Sequence, residues 1–105
     1  GAFLLGTVDG RPVGCGALKL MQDRKGYIKR MWVHGSMRGT GLGRRLLTAL
    51  EELAVEHGCT VVQLETNRAL QEAQSLYRSA GYQEVEPFND EVYAHHWFEK
   101  RVAPK

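Results

Sequence analysis

Three glycines at alternate positions, Gly39, Gly41 and Gly43, stand between a strand-like run over 27–33 and an amphipathic helical run over 42–57. No other feature limits the fold of this chain so strongly. Without a Cβ, glycine lets the backbone turn so that its N–H groups converge on one point. The helix that opens there adds unpaired N–H donors and the positive end of its dipole. Arg38, Arg44 and Arg45 flank the turn. A strand, a glycine turn and a helix in this order make a backbone cradle for a diphosphate.

The rest of the chain supplies a sheet around that turn. Residues 2–8 read as a strand, Asp9-Gly10 is a hairpin signal, and 13–21 returns as a second strand with Gly14 and Gly16 weakening its interior. After a polar turn at 22–26, the run 27–33 completes an antiparallel meander. Leu42, Leu46, Leu50, Leu53 and Ala54 share one side of the first helix, Gly58 suits its C′ position, and Glu51, Glu52 and Glu56 read as a solvated face. The β-branched run 60–66 follows, and a right-handed crossover pairs it in parallel with 27–33. A second helix over 69–80, with Leu70, Ala73, Leu76, Tyr77 and Ala80 on one side, ends at Gly81. Residues 82–86 and 95–102 form a terminal hairpin around the polar loop 87–94. The order is βββαβαββ, an α/β fold with a mixed sheet, and 1–105 reads as a single domain.

Composition narrows the partners. A net charge of +2 on 105 residues is too weak for a nucleic-acid partner, and Lys29, Arg30, Arg38, Arg44 and Arg45 cluster near the glycines, which suits a small polyanion. Cys15 and Cys59 lack metal-ligand spacing, so two reduced, buried thiols in a cytoplasmic protein are expected, with no metal. No apolar run approaches the roughly 20 residues of a membrane span, and no signal peptide is evident. The chain starts Gly-Ala-Phe-Leu-Leu, without Met and already inside a strand. It reads as N-terminally incomplete.

The remaining question is whose diphosphate the turn would hold. A triphosphate loop requires a Lys after its glycines, and none follows here. A dinucleotide fingerprint turns directly off its strand, whereas 34–38 intervene and position 44 is Arg. Glu65 does stand where a ribose-binding acid would, so a nicotinamide-dinucleotide enzyme is kept as a remote alternative. The segment Arg-Gly-x-Gly-Leu-Gly, preceded by Lys-Arg-Met-Trp-Val, resembles the acetyl-CoA motif of the GNAT family of N-acetyltransferases. Downstream, Leu-Glu-Thr-Asn (64–67) and Glu-Ala-x-x-Leu-Tyr-Arg-x-x-Gly-Tyr (72–82) resemble that family's next strand and helix. The tail over 87–100, with its His-His-Trp-Phe, is similar to bacterial members, including some joined to MarR-type regulators.

That resemblance implies an acyl-CoA N-acyltransferase-like fold without its N-terminal strand and helices, and acetyl-CoA as cosubstrate. The pantetheine arm would pair with the backbone of Met31, Trp32 and Val33, where a bulge would splay the strand from 60–66. The diphosphate would rest on the amides of Arg38, Gly39, Thr40, Gly41, Leu42, Gly43 and Arg44. Tyr77 would lie near the sulfur and protonate the departing thiolate, the plain alternative being that it only packs with Leu76 and Leu70. For the base, many relatives use a Glu where this chain has Tyr27. Glu65 is the candidate, with one of His95 and His96 as the other choice, since adjacent strand residues face opposite ways. Leu70 replaces a cofactor-binding Asn, so Asn67 either takes that role or caps the helix. His34 and His57 receive no role.

The implied reaction is direct transfer of acetyl to an amine of a small molecule or protein, because neither Cys15 nor Cys59 occupies a nucleophile's position. The loop 88–93, with Asn89, Asp90 and Glu91, would wall the acceptor pocket and favour a cationic amine. A non-catalytic CoA-binding regulatory module is the alternative function. Partners are the amine acceptor and, as an open arrangement, a second copy of the chain; nucleic acid and membrane are not expected partners of this domain.

Overall fold

Asp9 and Gly10 both take positive φ, 50° and 79°, the backbone of a two-residue hairpin turn. They fold β1 (Ala2–Val8) against β2 (Arg11–Met21) in antiparallel register, Val8 opposite Arg11. The computed structural model describes residues 2–37 and 39–102, with the backbone alone for residues 2 and 3. A second turn, with Asp23 and Arg24 at positive φ, leads into β3 (Lys25–Val33) and completes the meander. Helix α1 (Leu42–Glu56) ends on Gly58 at φ 84°, and β4 (Val61–Thr66) then pairs in parallel with β3. Helix α2 (Gln71–Ser79), β5 (Gln83–Val85) and β6 (His96–Arg101) finish the order read from the sequence. The six strands form one sheet in the order β1-β2-β3-β4-β6-β5, so the last strand lies inside the sheet and β5 takes the edge.

One element starts later than its periodicity suggests. Asn67 accepts the Ala69 N–H on Oδ1 at 2.8 Å and the Leu70 N–H on its carbonyl at 3.0 Å. This local turn holds residues 67–70 in a non-helical conformation ahead of the helix. Leu70 is therefore the N-cap of α2, 55% exposed, and not part of its apolar side.

Both helices pack on one face of the sheet. Leu18, Ile28, Val62, Leu64 and Phe98 meet Leu47, Leu50 and Ala54 of α1 and Tyr77 of α2 in a single core. Gly14 and Gly16 do not weaken β2; they admit α1. A Cβ on Gly14 would lie 3.0 Å from both Leu46 Cδ1 and the Trp32 carbonyl oxygen, and one on Gly16 would lie 2.7 Å from Leu50 Cδ1 and Met31 Sδ. Glu51 also departs from the expected solvated face: it accepts the Tyr82 hydroxyl at 2.8 Å and pairs with Lys100 at 3.2 Å.

The sheet is parted in its middle. β3 and β4 pair only at Lys25 with Val61, Gly26 with Val62 and Tyr27 with Gln63. Beyond Tyr27 a bulge turns β3 away, because Cys15 faces Trp32 while Ala17 faces Lys29, leaving Gly16 opposite both Arg30 and Met31. Arg30 sits at φ 59°, and its carbonyl accepts the Cys15 thiol at 3.3 Å. The bulge thus begins at Arg30, just ahead of the expected 31–33, and opens a slot through the sheet.

Candidate active site

The slot holds a cavity of about 490 Å³. β3 lends it Tyr27, Lys29, Arg30 and Met31, β4 lends Glu65 and Thr66, α2 lends Tyr77, and the loop before β6 lends Glu91 and Tyr93. Strand side chains alternate between faces. Leu64 points into the helix-side core, so Glu65 enters the slot from the open face, and Tyr77 enters it from the helix side.

Tyr77 is only 4% exposed, with its ring between Tyr82 (6.0 Å) and Phe98 (5.9 Å) and away from Leu70. Among the described residues its hydroxyl has no hydrogen-bond partner, and no fully buried polar side-chain atom lacks one. The hydroxyl therefore belongs to the part that opens onto the cavity. Burial, and then the charge of Glu65, push its pKa up to about 12. It is a phenol that keeps its proton.

Glu65 is held by one oxygen. Its Oε1 accepts the Tyr27 hydroxyl and, at 2.9 Å, the Asn89 side-chain amide. Asn89 Oδ1 in turn accepts the Trp97 indole N–H at 2.9 Å and the Glu91 backbone N–H at 3.2 Å. Phe88 sets its ring edge-on to Tyr27 at 6.2 Å. Burial first, and then the bond to Glu65 and its charge, raise the Tyr27 phenol well above its ordinary value.

At the glycine turn, Gly39 and Gly41 take φ 79° and 83°, values at which a side chain would be strained. Thr40 turns its N–H and hydroxyl back onto the Met37 carbonyl, at 3.2 and 2.5 Å. Its amide is thus occupied. Among the described residues, the N–H groups of Gly41, Leu42, Gly43 and Arg44 have no backbone acceptor. Gly43 is a close-approach glycine, its Cβ position 3.2 Å from Leu76 Cδ2 and 3.5 Å from Val33 Cγ2. This contact brings α1, α2 and the end of β3 together beside the slot, the carboxyl end of parallel strands where α/β sheets bind ligands. Arg44 donates to Ser79 Oγ of α2 at 2.5 Å. Arg38 lies outside the described residues. The expected basic cluster divides, since Lys29 and Arg30 border the cavity while Arg45 borders a separate groove beside Gly6 and Val13.

The other expected site residues sort by geometry. Met31 borders the cavity, Trp32 is 46% exposed beside the His34 ring, and Val33 packs toward Leu42 and Leu46. All three lie past the last β3–β4 pair, so that edge of their backbone is unpaired among the described strands. Asn67 borders the cavity too, but its amide is engaged by Ala69 N–H and, at 2.9 Å, by the Tyr93 carbonyl. His95 accepts the Arg68 N–H at 3.1 Å and His96 pairs with Glu84 at 2.8 Å; neither borders the cavity. Nor does either cysteine, and Cys59 has its thiol pKa raised by burial. Among the described residues no cluster of His, Cys, Asp or Glu could hold a metal ion. The sequence carries no signal that links Asn89 and Trp97 to Glu65.

The model of the Acetyltransferase (GNAT) family matches residues 1–82. This chain belongs to that family. An IAA acetyltransferase of Azospirillum brasilense is 37% identical to the GNAT chain over 87 residues, which cover 82% of it and 57% of the relative. The GNAT chain therefore spans little more than half of that relative's length. Among solved structures, an acyl-CoA N-acyltransferase of Klebsiella pneumoniae, described as putative, superposes with a TM-score of 0.81 at 33% identity, covering 92% of the chain and 68% of its own. The PaiA N-acetyltransferase of Thermoplasma acidophilum, solved in complex with coenzyme A, shares the GNAT fold at a TM-score of 0.81 and 20% identity, over 95% of this chain and 60% of its own.

Proposed function

We propose that residues 1–105 form a cytoplasmic N-acetyltransferase domain that carries acetyl from acetyl-CoA to an amine of a small molecule or protein by direct attack. The observation that carries this reading is the slot: a protonated Tyr77 hydroxyl and the Glu65 carboxylate share it, beside a glycine turn with unpaired amides. The pantetheine arm lies along the open edge of Met31, Trp32 and Val33, adding to a strand as extended peptides do. The diphosphate takes the amides of Gly41, Leu42, Gly43 and Arg44, free among the described residues, at the start of α1. The Thr40 amide expected among them is held by the Met37 carbonyl, and Asn67 holds the adjoining wall. The coenzyme A in the Thermoplasma relative supports the choice of cosubstrate. No metal is needed.

Glu65 takes a proton from the acceptor's ammonium group. The free amine nitrogen then attacks the thioester carbonyl carbon, and a C–N bond forms as the C–S bond breaks. The sulfur takes the Tyr77 proton, and the phenolate recovers one from the new amide nitrogen. The two groups are coupled, since the charge of Glu65 is one of the causes that raise Tyr77's pKa. Once Glu65 carries the amine's proton, that opposition is gone and Tyr77 is the stronger acid. Neither cysteine lines the cavity, and Cys15 commits its thiol to the Arg30 carbonyl, in accord with transfer without an acyl-enzyme.

Glu65 and Glu91 line the cavity together with Lys29 and Arg30, and Asp90 lies outside the lining; a cationic acceptor would be held by Glu91 locally and not by the net charge of the cavity. A thermal-shift comparison of acetyl-CoA, coenzyme A and NAD(P) tests the donor. At 100 times Kd, binding adds about 2.7 kcal/mol to stability. A melting temperature unmoved by acetyl-CoA sinks the reading, and a shift with NAD(P) alone supports the dinucleotide alternative. Thiol release in the presence of spermidine, tyramine or lysine methyl ester separates an enzyme from a silent CoA-binding module. Glu91→Gln in the same assay raises KM for the most cationic of them if the acceptor assignment holds, and leaves every KM unchanged if it fails.

A further inference from the structure

Trp97 decides the orientation of Asn89. An indole N–H only donates, so the Asn89 atom 2.9 Å from Trp97 Nε1 has to be the carbonyl oxygen. The Glu91 backbone N–H, also only a donor, meets the same oxygen. The amide's NH₂ group is then forced toward Glu65, where it donates to Oε1 at 2.9 Å. Tyr27 donates its hydroxyl to that same Oε1 from the other strand of the slot. Among the described residues, Oε2 accepts no hydrogen bond. One carboxylate oxygen is tied twice, and the other is left for a ligand.

We propose that Asn89, fixed by Trp97, and Tyr27 are positioning residues for Glu65, binding Oε1 so that Oε2 is the atom that takes the acceptor's proton. The inference rests on the reading of Glu65 as the base and adds how that base is aimed. A carboxylate on a strand beside an open slot has free torsions. Two donors on one oxygen, from β3 and from the loop before β6, stop the rotation that would exchange the oxygens. The loop thus does more than wall the acceptor pocket. Its Asn89 and Phe88 reach the two partners, Glu65 and Tyr27, and so tie the loop's position to the base's orientation.

The test is a double-mutant cycle in kcat with acetyl-CoA and whichever of spermidine, tyramine and lysine methyl ester turns over. Glu65→Gln lowers kcat by about 100-fold, in the usual range for a lost general base. Asn89→Leu lowers it by roughly 10-fold with KM for acetyl-CoA unchanged, and has no further effect on top of Glu65→Gln, because residues acting as a unit are not additive. Trp97→Phe shows the same dependence on Glu65 with a smaller loss, and serves if Asn89→Leu does not fold. A rate untouched by Asn89→Leu and Trp97→Phe, or losses that multiply with Glu65→Gln, overturns the proposal. Full activity in Glu65→Gln overturns the base reading itself, a separate result. The tie is also visible without any acceptor: Glu65→Gln shifts the Asn89 side-chain amide and Trp97 indole resonances in a ¹⁵N spectrum. Resonances that stay in place refute it.

Discussion

Tyr77 combines a ring locked among aromatics with a hydroxyl that makes no hydrogen bond among the described residues. The two halves of the side chain can be separated by experiment. Tyr77→Phe keeps the ring and removes only the group facing the slot, so folding stability changes by less than about 1 kcal/mol at neutral pH. Turnover falls by about 10²-fold, the usual scale for one acid–base group. Urea unfolding and thiol release on the same preparation check both numbers; unchanged turnover marks Tyr77 as a packing residue. That Tyr77 sits on the inner side of its helix was legible from its spacing with Ala73, Leu76 and Ala80. Its company was not, because Leu70 was drawn out of the helix by a turn centred on Asn67. Glu65 could be nominated once the family resemblance called for a base, yet its tie to Asn89 depends on where a loop 24 residues further on crosses the sheet. No periodicity encodes that.

The order of elements followed from alternation, helical period and glycine punctuation, and the parallel crossover followed from the handedness of strand–helix–strand units. What the pattern misread was the use of glycine inside β2. Gly14 and Gly16 look like weak points in a strand because propensity scores a residue alone, and their role belongs to the helix above them. Gly14→Ala places a Cβ 3.0 Å from the Trp32 carbonyl oxygen and from Leu46 Cδ1. Backbone cannot rotate away as a side chain can, so the substitution costs about 1–3 kcal/mol. A urea midpoint equal to the parent's would show that α1 has room to shift. The bulge was expected in kind but begins earlier, since Arg30 takes the left-handed turn and Cys15 secures it.

For the molecule as a whole, three phenols and the Cys59 thiol lean the fold against alkali. Tyr27, Tyr77 and Tyr82 all hold their protons more tightly folded than unfolded, burial being the first cause for each. Unfolded tyrosine titrates near pH 10. The preference therefore stabilises the fold fully below pH 10 and is lost as pH rises through the folded values. For Tyr77, raised to about 12, the loss spans pH 10 to 12 and is on the order of 2–3 kcal/mol. Tyr77→Phe, level with its parent at pH 8, becomes the more stable protein above about pH 11, and urea midpoints across that range check the crossing. The parting of the sheet has a different consequence. The halves β1-β2-β3 and β4-β6-β5 meet at three residue pairs, a seam short enough to act as a hinge line, with the helices clasping one side only. A thioester cofactor laid along β3 would work there as a splint. In a cell, the lifetime of such a protein against proteases would rise and fall with the supply of its own acetyl donor.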